Sequence, residues 1–119
     1  MAGVKTFQEI VAWQKGHHLV LEIYKVTKKF PSEEKYRLVD QLCRAGISFP
    51  ANIAEGFKRD GLQDSVRFYN IALASLEETK YHLLLAKDLG YILDKEYQAL
   101  FALASECGRL LHAWKKAQK

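Results

Sequence analysis

Glu78 and His82 stand four residues apart, which puts a carboxylate and an imidazole on one helix face. Di-iron sites in helical bundles use Glu-x-x-His pairs at a step of three, with further glutamates on facing helices, and that set is missing. His17 and His18 are adjacent, so on a helix they point about 100° apart and cannot chelate as a pair. Ser48 and Ser75 lack a histidine–acid constellation to activate them, and small residues there suit close helix approach. There is no Cys-x-x-Cys pair and no glycine-rich phosphate loop. No catalytic residue, metal, cofactor or small-molecule substrate is therefore expected, and the chain reads as a non-enzyme.

Ordered polarity appears instead between Gln41 and Gly56. Gln41, Arg44, Ser48, Asn52 and Glu55 recur at steps of three and four, so they share a helix face. Beside them runs an apolar stripe of Leu38, Leu42, Ala45, Phe49, Ile53 and Phe57. If the chain doubles back near Gly61, residues of equal height have numbers summing to about 122. Arg44 then falls level with Glu78, Asn52 with Asn70, and Glu55 with Arg67. The stripe is expected to pair across this hairpin; the alternative is a contact with a neighbouring subunit that fixes register.

Helices must carry these residues. Thr6 and Glu9 have capping-box spacing ahead of a helical period, predicting a first helix over about 7–29 that ends at Phe30-Pro31. Ser32 is the expected N-cap of a second, about 33–58, kinked at Pro50 and closed by Asp60-Gly61. A third runs over about 63–89 to Gly90, and Asp94 caps a fourth over about 95–116. Short connections between similar lengths favour a single domain, residues 1–119, folded as an all-α, antiparallel up-down-up-down four-helix bundle.

The composition, 49% hydrophobic and 27% charged, is that of one folded domain. Cys43 and Cys107 fall within helical patterns, at heights that could share a core layer, and read as reduced, buried thiols. No membrane-length apolar run and no signal-like N-terminal run are present, so a cytoplasmic location without membrane contact is expected.

The net charge of +4 is unevenly placed. Up-down topology gathers residues 1–15, 52–67 and 109–119 at one end. Nine basic residues lie there: Lys5, Lys15, Lys58, Arg59, Arg67, Arg109, Lys115, Lys116 and Lys119. Only Glu9, Glu55, Asp60 and Asp64 oppose them, while the rest of the chain holds nine basic and ten acidic residues. Such an end attracts RNA or DNA backbones without base specificity; the alternative is that these cations complement helix dipoles and keep the protein soluble. Trp13 and Trp114 could stack bases, although their spacing suits packing better.

The chain resembles the four-helix bundle proteins encoded within intervening sequences of 23S ribosomal RNA genes. Carrying the resemblance are Phe7 with Trp13-Gln14-Lys15, Phe30-Pro31 with Glu34, and Gln41-Leu42, Arg44-Ala45, Ser48 and Pro50-Ala51-Asn52-Ile53-Ala54-Glu55-Gly56. Ala74-Ser75-Leu76-Glu77-Glu78 and Leu89-Gly90-Tyr91 extend it more weakly. Phe49 and Thr79 depart from it, each standing where an aliphatic residue is common. The resemblance implies a bundle assembled with copies of itself into a ring, a homopentamer. It also points to distant relatives that serve as nucleic-acid-binding accessory proteins to the reverse transcriptases of diversity-generating retroelements, and it brings no established activity. The expected function is that of an oligomeric accessory protein that contacts nucleic acid; a protein-interaction scaffold is the alternative.

Overall fold

The computed structural model describes residues 3–118. Four α-helices make up most of the chain: α1 (Val11–Thr27), α2 (Leu38–Phe57), α3 (Leu62–Asp88) and α4 (Asp94–Ala117). No strand occurs among the described residues. At about 1.5 Å per residue, the 27 residues of α3 extend about 40 Å, most of the molecule's 49 Å long dimension. Each helix packs on two others, α1 on α2 and α4 and α3 on α2 and α4, while the diagonal pairs make no close backbone approach. No helix among the described residues is long and apolar enough to cross a membrane.

The first helix begins later than its capping signal suggests. Thr6 and Glu9 do form a box, with the Thr6 amide donating to the Glu9 carboxylate at 3.2 Å, but it closes a single 3-10 turn, Phe7–Glu9. Ile10 then adopts an extended backbone and is buried, and α1 starts at Val11. Burying Ile10 in the core is gained at the expense of one helical turn. The Gln14 side chain stitches the break by donating to the Gln8 carbonyl at 2.8 Å.

A similar correction applies to α2. Ser32 opens a 3-10 turn, Ser32–Glu34, and does not cap the helix, which starts at Leu38. Glu34 takes that role: its carboxylate accepts the Leu38 amide at 3.2 Å and the Tyr91 hydroxyl at 2.8 Å. It thereby joins the start of α2 to the α3–α4 connection. That connection turns at Gly90, whose φ of +82° suits glycine. Tyr91 N–H donates to the Ala86 carbonyl and Gly90 N–H to that of Lys87, the Schellman closure of α3. At α4, Leu93 is the N-cap, one residue before the expected Asp94, and its amide donates to Glu96 at 2.8 Å. Glu96 also pairs with Lys29 at the end of α1.

Leu19, Ile23, Leu42, Phe49, Ile53, Tyr69, Leu76, Leu83, Cys107 and Leu111 form the centre of the core. Pro50 is buried within α2 without ending it. Thr79 is fully buried, yet its hydroxyl donates to the Ser75 carbonyl at 2.8 Å, so burial leaves no orphaned donor. Phe49 fills the space that glycine leaves at position 16, where a Cβ would stand 2.5 Å from its ring.

A Cβ on Gly56 would likewise lie 2.5 Å from the buried Tyr69 ring and 3.0 Å from the Ser65 carbonyl oxygen. Overpacking costs about 1–3 kcal/mol, against up to about 1 kcal/mol gained from alanine's helix propensity. Gly56→Ala is therefore expected to lower the melting temperature, measured by circular dichroism. A second expectation concerns acid. The Tyr91 hydroxyl, then the Leu38 amide, hold Glu34 below its ordinary 4.5; Lys29, then the Leu93 amide, do the same for Glu96. Their stabilisation is fully present above that ordinary value and is lost as pH falls through the lowered folded-state values. The melting-temperature gap between wild type and Glu96→Gln should be open near neutrality and narrow as pH falls below the ordinary 4.5 toward the lowered folded-state value.

Candidate nucleic-acid interface

Basic residues of α4 and of the α2–α3 turn flank the first part of α3. The Lys115 ammonium at the close of α4 donates to Asn70 near the start of α3 at 2.9 Å. Lys15 lies 3.7 Å from Glu106, and Phe7 lines a groove with Ala54, bringing the first residues beside the close of α2. Lys5, Lys58, Arg109 and Lys116 are exposed and have no carboxylate partner among the described residues. Arg109 departs from the expected end: it lines a depression with Leu76, Glu77 and Lys80, about halfway along α3. Lys119 lies outside the described residues.

The two arginines of the turn are held differently. Arg59 pairs with Glu55 four residues earlier and comes within 3.8 Å of Asp64. Arg67 reaches the same Asp64 at 3.0 Å. Both guanidinium groups rest against the ring of Phe68, at 4.4 Å and 4.5 Å from its centroid. Sequence reading missed Phe68. Its signal is the adjacent Arg67 together with Arg59, brought back by the Asp60-Gly61 turn.

The polar stripe on α2 departs from expectation. None of the three cross-hairpin pairs forms. Arg44 instead makes a bond of 3.0 Å to Asp40 one turn back, and its side chain is 75% exposed. Glu78 accepts from His82 Nε2 at 2.9 Å, Glu55 holds Arg59, and Asn70 is taken by Lys115. Gln41 is exposed. The link that does cross the hairpin joins Ser48 and Ser75, hydroxyl to hydroxyl at 2.7 Å, and Asn52 donates to Ser48 Oγ at 2.9 Å and to its carbonyl at 2.8 Å. Their numbers sum to within one of the expected 122, so the height matching was sound. What failed is direction: at equal height, long charged side chains turn outward to a partner on their own helix, which orders fewer groups. Only short hydroxyls fit the seam.

Two grooves and two thiols remain. An apolar groove of about 280 Å³ between α1 and α2 is lined by Phe7, Trp13, Ile47, Pro50, Ala51 and Ala54. Trp13 stacks on His17 at 5.0 Å and meets Phe7 edge-on. A second groove of about 400 Å³ between α1 and α4 has an apolar floor at Val26, Leu100 and Leu103 and a rim of His18, Glu22 and Lys25. Cys107 is buried and Cys43 half-buried, both free. Burial pushes the Cys107 thiol up to about 12 and raises that of Cys43, so neither is a nucleophile at neutral pH. No cluster of three or more His, Cys, Asp or Glu side chains with metal-binding geometry occurs among the described residues.

Comparison with known proteins agrees with this architecture. The model of the 23S rRNA-intervening sequence protein family matches residues 8–113. A crystallised protein of unknown function from the S23 ribosomal protein family of Bacteroides thetaiotaomicron is similar at 29% identity and a TM-score of 0.82, covering 90% of this chain and 96% of its own. No curated protein matches the chain. With a family match from the break before α1 to the last turns of α4, this four-helix chain belongs to the 23S rRNA-intervening sequence proteins.

Proposed function

We propose that the protein is a non-enzymatic accessory protein that binds RNA or DNA through its basic end. It works in the cytoplasm as an antiparallel up-down-up-down bundle, assembled with copies of itself into a ring, a homopentamer. The observation that carries this reading is the pair of exposed arginines of the α2–α3 turn, Arg59 and Arg67, both held on the Phe68 ring, with Lys58 adjoining them in sequence and Lys115 reaching Asn70 from α4. Repeated around a ring, that end becomes a broad cationic surface, which binds phosphates by releasing their counterions and reads no sequence. Antiparallel packing is supported where two contacts join the same helices: Ser48–Ser75 with Gly56–Tyr69, Lys29–Glu96 with Lys15–Glu106, and Asn70–Lys115 with Leu76–Gly108, in which numbers rise on one helix as they fall on the other.

The exposed face of Gln41, Arg44 and Glu55 is assigned to the subunit contact, since its partners within the chain are absent or only one turn away. A second reading, a protein-interaction scaffold without nucleic acid, is favoured by the apolar groove at Trp13 and Ile47.

Titration of fluorescent single-stranded RNA and DNA separates the two. For about four phosphate contacts, affinity should fall about 50-fold between ~50 and ~200 mM salt. No binding at the lower salt would leave only the scaffold. Arg44→Ala tests the ring face. The exposed Arg44–Asp40 pair is worth about 0.3–0.5 kcal/mol within one chain, so monomer stability should barely move. Sedimentation should nevertheless show a lower assembled mass, and an unchanged mass would take Arg44 out of the interface.

A further inference from the structure

The arginines of the α2–α3 turn are not free cations. Asp64, in the first turn of α3, reaches Arg67 at 3.0 Å and Arg59 at 3.8 Å. Phe68 lies against both guanidinium groups, which orders them before any ligand arrives. Arg67 also lines two surface depressions, one with Gly61, Gln63 and Asp64 and one with Gln63, Asn70 and Ile71. Lys115 stands at the second through its bond to Asn70. The surroundings of Arg67 are thus a cation on an aromatic support, amide groups at its flanks, a second cation nearby and one carboxylate in the way.

We infer that Asp64 is an electrostatic latch on the nucleic-acid surface. It occupies the guanidinium donors in the free protein and is displaced by a phosphate of a single-stranded nucleic acid. This rests on the proposed nucleic-acid role. The chemistry is a swap of one anion for another on Arg67, with no bond made or broken beyond hydrogen bonds. Guanidinium forks donate to carboxylate and phosphate oxygens alike. The swap is feasible because the pair is exposed, with side chains 60% and 43% accessible, and exposed ion pairs are weak. Phe68 keeps Arg67 in place while its partner changes, so the arginine does not lose its order when the carboxylate leaves. The latch makes binding weaker than the local count of cations suggests. It also disfavours isolated anions, which offer too few contacts to offset the displaced carboxylate.

A titration of the full chain with a fluorescent single-stranded RNA of about 20 nucleotides, at two salt concentrations, tests this. Asp64→Asn frees Arg67. Asp60→Asn removes the same charge from the same end at a residue with no ion-pair partner among the described residues. Asp64→Asn is expected to bind about two- to fivefold tighter than Asp60→Asn, with a salt dependence steeper by about 0.7 for the one added contact. Adding Arg67→Ala to Asp64→Asn should remove that gain. Circular dichroism melts of each variant establish that it is folded. Equal affinities for the two aspartate variants, or a gain that survives Arg67→Ala, would overturn the latch and leave the basic end as a binder by net charge. If no form of the protein binds RNA at low salt, the nucleic-acid role falls, and the latch with it.

Discussion

Phe49 and Tyr69 lie where neighbouring helices carry no side chain. A Cβ on Gly16 would stand 2.5 Å from the Phe49 ring, and one on Gly56 the same distance from Tyr69. At Gly46 the obstruction would be Ile23, at 2.8 Å. These three contacts set how closely α2 approaches α1 and α3, and closeness decides what fits along the seams. At the α2–α3 seam the serine hydroxyls at 48 and 75 meet, while Arg44 turns away to Asp40 on its own helix. Close packing of this kind is steeply distance-dependent, since interiors are filled to crystal-like density. The outward turn of Arg44, Glu55 and Glu78 follows from it, and so does the polar surface that α2 presents.

The helical period made all four helices legible, because each hides one face and the spacing of apolar residues reports that face directly. Glycine at 90 was readable for the same kind of reason, since a left-handed turn asks for it. Helix starts were harder. Ser32 has the chemistry of a cap, but Glu34 fills the place through a tertiary link to Tyr91, which is 57 residues away in sequence. Ile10 interrupts the first helix because the core takes it, and no local signal announces that. The candidate site divides along the same line. Which residues are basic is read from the sequence alone, but the place of Arg109 along the bundle is not. How Phe68 and Asp64 hold Arg59 and Arg67 depends on side-chain direction across the α2–α3 turn, which spacing does not fix.

Charge at the two ends of the molecule is therefore managed in different ways. Around the α1–α2 and α3–α4 connections, Glu34 and Glu96 are spent on structure, accepting from Tyr91, Leu38, Lys29 and Leu93. There the carboxylates bind the chain to itself. At the α2–α3 turn Asp64 and Glu55 sit on arginines that are exposed and ordered against Phe68. Exposed pairs of this type add little to stability. They do hold positive groups in fixed positions facing water, which is a use of charge suited to a partner with regularly spaced phosphates.

The claim at the centre of this account is that nucleic acid meets one end of the bundle. Lys28, Lys35, Arg37 and Lys95, at the other end, make a stringent internal control, since they too have no carboxylate partner among the described residues. Photo-crosslinking to a single-stranded oligonucleotide, with the linked residues located by mass spectrometry, compares the two ends within one molecule. Crosslinks confined to the stretch from Lys58 to Asn70 and to the chain's two terminal regions are the predicted result. Crosslinks that fall equally on Lys28, Lys35, Arg37 and Lys95 would contradict it.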